Sequence, residues 1–132
     1  MSIKKETIKK YFEGTSSIAS LMGELNESIQ MSGNEMTINI ENDKSKSEFR
    51  VKKEHLIKLC HECLNDQIQL SDLTKFAFIL RSSDFFIWDN SQNDGSIIND
   101  LITNWECPEI NGELTKDYIQ YCVYFLETGE HR

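Results

Sequence analysis

Apolar residues recur three and four positions apart over most of this chain, and two apart in one stretch near its middle. The first spacing lines one face of a helix, the second one face of a strand. Ile3, Ile8, Tyr11 and Phe12 predict a short amphipathic helix over residues 3–12, with Gly14 ending it. Ile18, Leu21, Met22, Leu25 and Ile29 predict a second over 15–29, capped by Thr15 or Ser16. Gly23 weakens that pattern, and a strand competes with it.

Between Met31 and Val51 the period changes. Met36, Ile38 and Ile40 alternate with Thr37 and Asn39, and Phe49 and Val51 alternate with Glu48, Arg50 and Lys52. The polar run NDKSKS (42–47) lies between them, so the pattern predicts an antiparallel β-hairpin. Two strands are marginal alone, so the hairpin should lie against the helices, with a third strand as a further option.

Helical spacing returns with Leu56, Ile57, Leu59, Cys60, Cys63 and Leu64 in 54–64, and continues with Leu73, Phe76, Ala77, Ile79 and Leu80 behind a Ser71 cap. Phe85-Phe86-Ile87-Trp88 reads as a buried connector or a strand. If extended, Phe85 and Ile87 face one way and Phe86 and Trp88 the other, which would leave one pair more exposed. Ser96 is expected to cap a helix through Trp105, with Ile97, Ile98, Leu101, Ile102 and Trp105 inward and Pro108 stopping it. Thr115 should cap the last helix, with Ile119, Cys122, Val123 and Leu126 as its stripe and Gly129 at its end. No internal repeat, low-complexity tract or linker interrupts the pattern. The expectation is one domain over residues 1–132, α+β and predominantly helical, with five or six helices around a small antiparallel β-hairpin.

Composition adds a charge asymmetry to this outline. The net charge is −8, but residues 1–60 carry ten Lys/Arg against nine Asp/Glu, and residues 61–132 carry four against thirteen. Ser82–Glu113 concentrates the imbalance, with seven carboxylates, no Lys or Arg, both tryptophans and the adjacent Phe85 and Phe86. Such a segment repels nucleic acid, which needs a basic footprint. It attracts and steers a basic protein, although acidity also serves plain solubility. No apolar run approaches the ~18–20 residues of a membrane span. The first residues lack the apolar core of a signal peptide, and the four cysteines are too few and irregular for a disulfide scaffold. Reduced thiols and cytoplasmic residence follow as the simplest expectation.

Candidate chemistry is sparse. Cys60-His61-Glu62-Cys63 is half of a zinc site, without a second pair to complete four ligands, and on a helix both thiols fall in the apolar stripe. Counted from Asn90, a calcium loop would have Gly95 at its sixth position but Leu101 where a bidentate carboxylate is required. Cys60 and His61 are helical neighbours that do not face each other, and no phosphate loop, GxSxG or HExxH is present. No catalytic residue, metal or cofactor is therefore expected, and an enzyme is not the leading reading.

The segments EHLIKLCHECL, SDLTKFAFILRSSDFFIWD and IINDLITNWECPEINGELT give the chain the small, acidic, mainly helical character of bacterial immunity proteins. It resembles those encoded with contact-dependent or polymorphic toxins, over roughly the last 80 residues. The resemblance implies a protein that binds a cognate toxin, often a nuclease with a basic groove, and covers its active site. It transfers no binding residue by position. Charge and aromatic content instead nominate Asp84, Trp88, Asp89, Asp94, Asp100, Glu106 and Glu109 as the partner-binding set. The alternatives are an intracellular adaptor that binds another protein, and a small enzyme in which Cys107 or Cys60 meets a histidine. No heptad pattern speaks to oligomeric state.

Overall fold

The computed structural model describes residues 2–41, 48–108 and 114–130. Among them are six α-helices, a two-stranded antiparallel sheet and a second, parallel pair of strands, the predominantly helical α+β arrangement expected. The chain divides into two compact units, residues 1–47 and 48–132.

In the first unit, α1 (Lys5–Phe12) and α2 (Ile18–Glu27) bury Ile8, Tyr11, Phe12, Leu21 and Leu25. The first turn of α1 has no cap of its own. Glu24 of α2 supplies one, accepting from the Lys4 N–H at 2.8 Å and the Thr7 hydroxyl at 2.7 Å. Gly14 follows α1 with φ +82°, and the α2 cap is Ser17, whose hydroxyl accepts from the Ser20 N–H. The hairpin joins β1 (Ile29–Ser32) to β2 (Glu35–Ile38). This corrects the expected pairing of 36–40 with 49–51, whose NDKSKS turn lies outside the described residues. The Gly33-Asn34 loop explains the register. Positive φ at Gly33 alone is the pattern of a type II′ turn, whose twist suits a two-residue hairpin. Ile3 adds a parallel bridge to Ile40, a third short stretch beside the pair.

In the second unit, β3 (Phe49–Arg50) and β4 (Phe86–Ile87) run parallel, with Phe49 opposite Phe86 and Arg50 opposite Ile87. Parallel neighbours need a long crossover, here α3 (Lys53–Leu64) and α4 (Leu70–Ser82). Thereafter α5 (Asn93–Glu106) packs on α4, and α6 (Lys116–Thr128) packs on α3. Their shared core holds Leu56, Leu59, Leu73, Phe76, Leu101 and Trp105, the last at 0% exposure. Two expected caps move towards the N-terminus. The Asp72 carboxylate caps α4 by accepting from the Gln69 N–H at 2.8 Å, and α5 begins beyond Gln92 rather than at Ser96. Thr115 caps α6 and Gly129 closes it with φ +74°, both as expected.

Candidate functional site

The acidic stretch is positioned by β4 and α5. Phe85 and Phe86 are both buried, and Ile87 and Trp88 both half-buried, so strict alternation does not hold. The reason is Phe49. Its ring lies 6.5 Å from Phe85, nearly parallel, and 6.2 Å from Phe86, edge-on, so both phenylalanines find an apolar neighbour. Trp88 then emerges at the end of β4 with its indole partly in solvent. Its N–H donates to the Asn99 side-chain oxygen at 3.3 Å, which ties the ring to the middle of α5.

Asp89 folds back on its own loop. One carboxylate oxygen accepts from the Ser91 hydroxyl at 2.6 Å and from the Ser91 N–H at 2.9 Å. These hydrogen bonds, the hydroxyl's first, and the more distant charge of Arg50 hold its carboxyl below the ordinary aspartate range. Gly95 sits in the first turn of α5, where an added Cβ would overlap the Asp89 carbonyl. Asp94-Gly95-Ser96 is thus the start of a helix pressed against the Asp89 loop, and no residue with a side chain fits at Gly95.

The expected partner-binding residues do not share one environment. Asp84, Asp89 and Asp100 are exposed, and among the described residues Asp84 and Asp100 form no ion pair. Asp94 pairs with Lys53 at 3.2 Å, and Glu106 pairs with Arg81 at 2.7 Å. Glu109 lies outside the described residues. The stretch is free of cations along the sequence but not in space, because α3 and α4 bring Lys53 and Arg81 alongside it.

Trp88 lines two depressions. The larger, about 1000 Å³, reaches Arg50 of β3, Lys52 and Lys53 at the start of α3, and Asp89 and Asp94 before and within α5. The smaller, about 530 Å³, includes Glu48, Asp84, Asn90 and Asn99. The basic residues, Asn99 and Gly95 are not among the residues that charge and aromatic content nominate. Arg50, Lys52 and Lys53 are far from the acidic stretch in the chain, whereas the polar pairs 99/103 and 100/104 mark one wet helix face at i, i+4 spacing.

Chemistry of the nucleophilic kind finds little support in the cysteines. Cys60, Cys63 and Cys122 are buried, and burial first of all pushes each thiol upward. An activated cysteine needs the opposite shift. Cys60 and Cys63 pack in the core, as expected. Among the described residues no trio of His, Cys, Asp or Glu is placed to hold a metal. No helix of the described residues is long and apolar enough to cross a membrane.

Comparison with protein-family models, with curated proteins and with solved structures gives no match.

Proposed function

We propose that this chain is a toxin-neutralising immunity protein that docks on a basic protein partner through the surface around Trp88. The observation that carries the reading is Trp88 itself. It is a large ring, half in solvent, fixed by Asn99 between two depressions, with exposed Asp89 lining one, exposed Asp84 the other, and exposed Asp100 next to Asn99 on α5. A pinned aromatic supplies contact area at small entropic cost, and carboxylates around it accelerate and select the approach of a cationic partner.

The partner class that fits this chemistry is a nuclease, whose substrate groove is basic and can receive carboxylates in place of phosphates. Direct binding of nucleic acid is disfavoured by the −8 net charge and by acids interleaved among Arg50, Lys52 and Lys53. The cytoplasm, where thiols stay reduced, is the compartment this reading assigns.

Co-expression with the product of the adjoining gene tests it. A stoichiometric complex that survives gel filtration and abolishes the partner's nuclease activity is expected. A neighbouring product that neither binds nor loses activity removes the reading.

A further inference from the structure

A third depression, about 290 Å³, opens between α5 and α6. Leu101 and Phe125, 1% and 6% exposed, contribute its most buried lining. Tyr121 stacks with Phe125, ring centroids 6.0 Å apart and planes 15° from parallel, and with Tyr118 at 6.2 Å. Asn99, Thr103 and Asn104 add polar groups, and the exposed carboxylate of Asp100 completes the lining.

We infer that this depression receives a single arginine side chain of the partner. At about 290 Å³ it lies at the lower end of the range for ligand sites, which start at about 300 Å³. It suits one long side chain. A guanidinium is planar and weakly hydrated, stacks on aromatic rings and donates in a fork to carboxylate and amide oxygens. Tyr121, Asp100 and Asn104 offer those partners in one place, beside Asn99, whose amide oxygen accepts from the Trp88 N–H.

Local charge agrees. α5 contains no Lys or Arg, and in α6 only Lys116 does so, tied to Asp66 at 2.6 Å. Arg81 reaches the Thr103 hydroxyl from the α4 side, but Glu106 at 2.7 Å neutralises it. Asn99 belongs to the lining of this depression and of the one beside Trp88, so the two adjoin at Asn99 and one partner can span both. The identity of the arginine's owner rests on the immunity reading. The affinity of the depression for a guanidinium does not.

The test is a nitrogen-15 NMR titration of the whole chain with N-acetyl-arginine amide and with its uncharged isostere, N-acetyl-citrulline amide. Arginine amide is expected to shift the Asn99 and Asn104 side-chain amides and the backbone near Asp100 and Tyr121, and citrulline amide to leave them in place. Asp100→Asn and Tyr121→Leu should each weaken the arginine response about tenfold, the loss of one charge-assisted contact or one cation–π contact in a partly desolvated site. Equal shifts with both amides, or an Asp100→Asn titration identical to wild type, overturns the assignment. If the neighbouring gene product fails to bind while arginine amide titrates this site, the immunity reading falls and the arginine site stands.

Discussion

Trp88 and Asn99 are eleven positions apart in sequence and joined by a 3.3 Å hydrogen bond from indole N–H to amide oxygen. The pose of the more exposed tryptophan is therefore set by α5 rather than by β4, which precedes it. Asn99→Leu should free the ring and leave its N–H to water, costing about 0.5–1.5 kcal/mol of stability. A red shift of the Trp88 emission, with Trp105 unchanged in the core, is the expected readout. Fluorescence of the variant in a Trp105→Phe background isolates the signal, and an emission identical to the parent's argues that the bond does not hold the ring.

Two glycines should answer oppositely to the same substitution. At Gly95 a Cβ meets the Asp89 carbonyl, so Gly95→Ala displaces the Asp89 loop and should cost about 1–3 kcal/mol in urea unfolding. At Gly23, inside α2, nothing lies within 4 Å, and Gly23→Ala should stabilise by about 0.5–1 kcal/mol. Equal effects of the two changes would remove the close approach from the explanation.

Asp89 provides a pH test with a defined sign. Its folded value lies below the ordinary aspartate value of about 3.9, because Ser91 donates to the charged form. The stabilisation is present above that ordinary value and disappears as pH falls through the lower folded one. A carboxyl-carbon NMR titration should find Asp89 titrating below the ordinary aspartate range, and Ser91→Ala should move it back up.

Thiol chemistry separates the cysteines. Cys60 and Cys122 are buried and their thiols pushed upward, whereas Cys107 is partly exposed at the end of α5. Iodoacetamide on the native protein should modify Cys107 first, and Cys60 and Cys122 only on unfolding, as read by peptide mass spectrometry. Early labelling of Cys60 would reopen a catalytic role for it.

The helices were legible in the sequence because a 3.6-residue period records which face is buried, and Thr115 and Gly129 mark α6 with local signals. Boundaries are less legible: among Thr15, Ser16 and Ser17 the sequence does not select Ser17 as the α2 cap, and two other caps are not local hydroxyls. Asp72 caps α4 from inside the helix, and Glu24 caps α1 from another helix. Alternation in 36–40 names no partner strand, and the turn that selects one is Gly33-Asn34. Phe49 looked like that partner but pairs with Phe86, a contact that only the crossover through α3 and α4 creates. The same non-locality affects the site. Acidic side chains could be counted along the stretch, but Lys53 on Asp94 and Arg81 on Glu106 could not be foreseen.

Among the described residues of the nominated set, Asp84, Asp89 and Asp100 are the exposed carboxylates outside the Lys53 and Arg81 ion pairs. Calorimetric titration of the purified neighbouring gene product into the parent chain, and into a chain with all three changed to lysine, measures the face directly. The triple variant should fold normally and bind more weakly by about 3–5 kcal/mol, with a smaller salt dependence than the parent. Binding of undiminished strength by a folded triple variant excludes the surface around Trp88 as the docking face.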